Sequence, residues 1–84
     1  MSQHTPNELT TIFRRDRELI TRLKLEDGHY ARLADEYHEV NREVHRIECE
    51  AQASSDEHTE TLKKQRLALL DEITAIVSRA RETA

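Results

Sequence analysis

The 84-residue sequence has one cysteine, one glycine, one proline and no tryptophan. A lone cysteine excludes an internal disulfide and a zinc site built from several cysteines. The small share of aromatic residues, 4%, together with the scarcity of glycine and proline, excludes the turn-rich strands of a β-sandwich or barrel. The longest apolar run covers only residues 67–70, whereas a membrane-spanning helix needs about 20 residues.

The composition is instead typical of helices. Charged residues make up 36% of the chain and apolar residues another 36%, and a mixture rich in Ala, Leu, Glu, Lys and Arg is typical of long helices and coiled coils. The net charge of −4 gives no general attraction to nucleic acid or to an anionic membrane. The first twenty residues contain no apolar signal-peptide region. We therefore expect one all-α domain over residues 1–84, located in the cytoplasm.

The N-terminal part predicts a shorter amphipathic helix from about residue 6 to residue 25. Thr5-Pro6-Asn7-Glu8 combines an N-cap, a first-turn proline and a capping-box glutamate. Apolar residues then recur at helical spacing, with Asp16 as an interruption: Leu9, Ile12, Phe13, Leu19, Ile20 and Leu23. The helix is expected to end at Glu26-Asp27-Gly28, where Asp27 can cap the next helix.

The remainder predicts an antiparallel coiled-coil hairpin, with helices over about 28–52 and 56–81 and a turn near Ala53–Ser55. Alternating steps of three and four residues define a seam on the first of these helices: Tyr30, Leu33, Tyr37, Val40, Val44 and Ile47. The matching seam on the second helix is Leu62, Arg66, Leu69, Ile73, Ile76 and Ala80. In antiparallel register, facing residue numbers add to 109 or 110 in six layers, as Val40 and Leu69 do.

Arg66 is the one charged residue in this seam. We expect its guanidinium to reach toward Glu43 or Glu48 and to fix the register of the hairpin, as buried polar residues do in coiled coils. A role in binding a partner's carboxylate is the second possibility.

The last helix has more apolar residues than one partner helix can cover. Either the N-terminal helix of the same chain or a second chain must cover the surplus. Since a bare hairpin of this size is marginally stable, we predict a homo-oligomer, with a dimer favoured. Its proposed interface is Leu67, Leu70, Ile73 and Val77.

The order and spacing of residues along the chain also resemble those of a known family. The sequence resembles the small bacterial YdcH-like proteins in three segments, namely residues 17–24, 26–27 with 29–33, and 62–73. It also resembles them in the spacing of five residues between these segments: Asp35, Tyr37, Val40, Glu43 and Val44. The resemblance implies a helical, coiled-coil-forming protein of unknown function, with no established active site. The chain differs from the common pattern at Gly28, Ala34 and Leu70, where proline, a large aromatic residue and lysine are common.

Candidate chemical sites are few. His38, His45 and Cys49 share one helical face and are metal-ligand types, but they could bind zinc only with a ligand from another chain. Glu36, Glu43 and Glu50 repeat every seven residues, which indicates a solvated coiled-coil flank rather than a catalytic pair. We expect no metal, no cofactor and no enzymatic activity.

Two functional hypotheses follow. The first is a non-enzymatic helical interaction module that self-associates and has an unidentified protein partner. The alternative is an adaptor that binds nucleic acid or an anionic membrane surface through the basic residues of the N-terminal helix: Arg14, Arg15, Arg17, Arg22 and Lys24. Nucleic acid is the weaker alternative, because five acidic residues within 1–27 cancel these charges.

Overall fold

The computed structural model describes residues 8–50 and 56–83, with side chains for 8–49 and 57–83. Every regular element within these ranges is helical: α1 (Leu9–Ile12), a single 3-10 turn (Arg14–Asp16), α2 (Arg17–Glu26), α3 (Gly28–Glu50) and α4 (Asp56–Thr83). The predicted all-α class is therefore confirmed. The predicted cap at Thr5–Asn7 and the turn near Ala53–Ser55 lie outside the described residues.

The first two helical elements replace the single N-terminal helix that the sequence predicts. α1 ends at Ile12, Phe13 takes a non-helical conformation (φ −106°, ψ 49°), and α2 starts only at Arg17. The prediction of one helix over residues 6–25 is therefore wrong within 13–16. A continuous helix would hold Asp16 against the apolar face, whereas the break buries Phe13 and lets Asp16 pair with Arg81.

The junction between α2 and α3 follows the prediction. The Asp27 carboxylate accepts hydrogen bonds from the backbone N–H groups of His29 (3.0 Å) and Tyr30 (3.1 Å). The Asp27 N–H donates to the Leu23 carbonyl (2.8 Å). One residue thus closes α2 and caps α3, which satisfies backbone groups that two helix ends leave without intrahelical partners.

α3 and α4 pack along each other as the predicted antiparallel hairpin. Side-chain pairs that cross it among the described residues include Glu48 with Lys63, Asn41 with Arg66, and Glu43 with His58. The numbers of the paired residues add to 111, 107 and 101, where the sequence predicts 109 or 110 for residues that face each other. Such long side chains join residues that do not face each other directly, whereas Val40 and Leu69, whose numbers add to the predicted 109, line the same groove between the two helices.

All twelve predicted seam residues are at least half-buried. Six are buried (Tyr30, Leu33, Tyr37, Val44, Leu62 and Ile73), and six are half-buried (Val40, Ile47, Arg66, Leu69, Ile76 and Ala80). Two α3 residues outside the predicted seam are buried more deeply than Val40, namely Ala34 (3% exposed) and Asn41 (1%). The buried stripe of α3 is wider than the sequence indicates, because the N-terminal segment packs on it as well as α4.

The core forms where the N-terminal segment meets the hairpin. It unites Leu9, Phe13 and Ile20 with residues of both long helices: Tyr30, Leu33, Ala34, Tyr37, Ile73 and Val77. Ile73 and Val77 are both 0% exposed, so their assignment to an intermolecular interface is wrong. The N-terminal segment of the same chain covers them. Of the predicted interface, only Leu67 (59% exposed) and the half-buried Leu70 remain at the surface.

Candidate interaction surfaces

An open groove runs between the two long helices. Its volume is about 490 Å³, and the described residues that line it are Glu36, Glu39, Val40 and Glu43 of α3 and Leu62, Gln65, Ala68 and Leu69 of α4. We call it the acidic groove. Val40, Leu62 and Leu69 give it an apolar lining, and the spacing of three and four residues brings its three carboxylates to one flank of α3.

The acidic groove carries an uncompensated negative charge along its lining. None of the described residues that line it is lysine or arginine. Glu36 and Glu39 are exposed, and Glu43 lies 3.8 Å from His58, with both side chains about half exposed. An ion pair this exposed contributes little. The solvated flank predicted for Glu36 and Glu43 is what the structure shows.

A second surface lies where α2 meets the end of α4. The described residues that line it are Arg14, Arg15, Asp16, Arg17, Glu18, Leu19, Arg22 and Arg81. We call it the arginine surface. Arg81 Nε donates to Asp16 Oδ2 at 3.0 Å, and Nη2 donates to the same oxygen. This hydrogen bond lowers the pKa of Asp16 and raises that of Arg81.

The arginine surface has an excess of three positive charges, since five arginines oppose two acidic residues. The sequence shows no such excess within residues 1–27. Arg81 comes from a position 65 residues after Asp16, and no local pattern indicates that contact. Leu25 adjoins this surface through Arg17 and Arg22 and is 82% exposed.

Inside the hairpin, Arg66 has a different partner from those predicted. Its Nη1 donates to Asn41 Oδ1 at 3.0 Å, so the expectation that it reaches Glu43 or Glu48 is not met. Burial raises the pKa of Tyr37, and the nearby charge of Arg66 opposes that rise. Asn41 lies outside the predicted apolar seam, and no local pattern indicates its burial, to 1% exposure, or its contact with Arg66 across the hairpin.

The histidine and cysteine candidates do not gather into a site. Cys49 Sγ lies 3.5 Å from His45 Nδ1, and Cys49 is exposed. His38 is half-buried with its ring centroid 5.9 Å from that of Tyr37, and burial lowers its pKa, with charges of Glu8, Lys24, Arg42 and Asp35 nearby. No three potential ligands come together within residues 8–50 and 56–83.

None of the described helices combines the length and the apolarity that crossing a bilayer requires. Comparison with curated proteins and with solved structures gave no match. The family described as protein of unknown function (DUF465), whose known type is YdcH-like, matches residues 31–77. These residues are more than half of the chain and include most of α3 and α4. The chain therefore belongs to the DUF465 family.

Proposed function

We propose that this protein is a non-enzymatic helical interaction module that self-associates. The observation that carries the proposal is the acidic groove, whose apolar lining is left open on the hairpin although the N-terminal segment covers Ile73 and Val77 elsewhere. Small helical proteins commonly bury such apolar surface against a second copy of themselves. A second copy is the favoured partner because the same chain carries a surface of opposite charge.

The geometry of the groove supports binding rather than catalysis. Its carboxylates project from one exposed helix flank into an open groove. Acid–base catalysis by two carboxylates depends on environments that separate their pKa values, and such environments occur in enclosed sites. An apolar lining with a charged rim is instead the usual anatomy of an interaction surface.

The test is the molecular mass in solution as a function of protein concentration, measured by light scattering coupled to size exclusion. We expect a mass above that of one chain, and a dimer is the simplest assembly. Ala68→Glu places a charge at an exposed position in the groove and should shift the protein toward monomer. The matched control is Ala75→Glu, which changes an exposed residue one heptad further along α4 and should associate like the unmodified protein.

Circular dichroism of both variants checks that they remain helical. The proposal is wrong if the unmodified protein stays monomeric up to millimolar concentration. It is also wrong if the two variants weaken association equally, because the groove would then have no special part in it.

The arginine surface supports a second candidate function, an adaptor at an anionic membrane surface. Exposed Leu25 beside several arginines is a combination that binds the lipid interface. Nucleic acid has less support, because the three aromatic residues of the chain, Phe13, Tyr30 and Tyr37, are all buried and offer no stacking surface. Sedimentation with phosphatidylserine vesicles at low and high salt tests this candidate, which requires binding that salt removes.

A further inference from the structure

The two exposed surfaces of this chain carry equal and opposite charge. The acidic groove has three glutamates and no basic residue among its described lining residues. The arginine surface has five arginines against two acidic residues. Charge complementarity of this kind selects a partner and its orientation more than it sets affinity.

The two surfaces are also similar in volume, about 490 Å³ for the acidic groove and about 440 Å³ for the arginine surface. Glu36 and Glu43 are seven residues apart, about 10 Å along α3, and Arg17 and Arg22 are five residues apart, about 7.5 Å along α2. Leu25, at 82% exposure, continues the arginine surface at the end of α2. The acidic groove offers apolar contacts to such a side chain between its glutamates and α4.

The surfaces cannot neutralise each other within one chain. Arg81 is twelve residues beyond Leu69, the groove residue of α4 that is nearest to it in the chain, so these two residues are about 18 Å apart along α4. At physiological ionic strength, charges are largely screened beyond about 8 Å. The opposite charges can therefore meet only between molecules.

We propose that the acidic groove of one copy binds the arginine surface of another copy, with Leu25 against the groove's apolar lining. This inference rests on the proposed function and specifies how the copies meet. Each contact uses two different surfaces, so it is heterologous. A pair of copies joined by one such contact still has one free acidic groove and one free arginine surface. The assembly therefore grows further unless the contacts close into a ring or a reciprocal pair.

Charge reversal on each surface tests the inference. Glu39→Arg reverses an exposed groove residue, and Arg22→Glu reverses an exposed residue of the arginine surface. Each variant alone should associate at least about tenfold more weakly than the unmodified protein, since like charges face each other at the contact. Mixed in equal amounts, the two variants should associate again, because each retains the surface that the other has lost.

Matched controls reverse charges at exposed positions outside both surfaces, Glu60→Arg on α4 and Arg46→Glu on α3. Both should associate like the unmodified protein. Sedimentation velocity gives the association state, and circular dichroism confirms that each variant is helical. In the unmodified protein, raising the salt concentration from about 0.05 M to about 0.5 M should weaken association, because the Debye length falls well below the separation of most charges.

The possible results separate this inference from the proposed function. A monomeric unmodified protein contradicts both. Association that resists salt and both charge reversals retains self-association but overturns this arrangement, as does a mixture of the two variants that stays monomeric. If Arg22→Glu abolishes binding to phosphatidylserine vesicles and leaves self-association intact, the arginine surface binds lipid and the inference is wrong.

Discussion

Replacement of Ile73 by alanine tests whether the apolar stripe of α4 is buried within one chain or between two chains. The sequence predicts burial between chains, and the structure shows burial within one chain. Ile73 is 0% exposed and packs in the cluster that the N-terminal segment completes. The substitution removes three carbon atoms, worth about 2.4 kcal/mol at about 0.8 kcal/mol each. The cavity left behind brings the expected loss into the range of about 2–5 kcal/mol.

That loss is large for a chain of this size. A domain of 84 residues is stable by roughly 4–13 kcal/mol. Since each kcal/mol shifts Tm by about 4–8 °C in small domains, Ile73→Ala should lower Tm by at least about 8 °C. The control is Leu67→Ala on the same helix, at a position 59% exposed, which should change stability by no more than about 0.5 kcal/mol.

The assay is thermal unfolding followed by circular dichroism at two protein concentrations at least tenfold apart. Because Ile73 packs within its own chain, its substitution should lower Tm by the same amount at both concentrations. Equal effects of the two substitutions, or a loss confined to the lower concentration, would show that the stripe is buried between chains and would refute this reasoning.

Three further predictions concern the hairpin and its ends. Asn41→Leu should cost about 1–3 kcal/mol, because Arg66 loses its acceptor, whereas Asn41→Leu combined with Arg66→Met should recover most of that loss in urea unfolding. Gly28→Ala should raise the free energy of unfolding by about 0.4–1 kcal/mol, since an added Cβ meets nothing within 4 Å in the first turn of α3 and alanine reduces the entropy of the unfolded chain; a lower Tm would contradict this. Burial lowers the pKa of His38 in the folded protein. The stability contributed by neutral His38 is therefore complete above its unfolded pKa near 6.5 and is lost as pH falls through the lower folded pKa. As the pH is lowered through this range, Tm should fall less steeply in His38→Gln than in the unmodified protein.

Several features of this protein follow from its sequence alone, because they depend on local chemistry and short-range periodicity. Steps of three and four positions between apolar residues predict the two long helices. Asp27, directly before the glycine, predicts the helix cap, which needs only backbone groups two and three residues away. The heptad pattern also identifies twelve seam residues that are all at least half-buried. The family could be identified in the same way, since its pattern lies in this hairpin.

What the sequence could not decide are the contacts between elements distant in the chain. The periodicity of α3 places Asn41 outside the apolar seam, and only the packed hairpin shows that Asn41 accepts a hydrogen bond from Arg66. The surplus apolar stripe of α4 is consistent with cover from the same chain or from another, and only the folded N-terminal segment shows that Ile73 and Val77 are covered in cis.

The charge of the exposed surfaces also depends on contacts between residues that are distant in the chain. Within residues 1–27 the acidic and basic residues cancel, so the sequence identifies the basic residues of the N-terminal helix but no net positive charge. The net charge of the arginine surface reaches three because Arg81, 65 residues from Asp16 in the chain, pairs with Asp16 and adds its charge to the four arginines of the N-terminal segment. Local pattern thus determines which helices form and which faces they bury. The candidate surfaces depend on where those helices meet, and that is fixed by long-range packing, which has no signature at short sequence spacing.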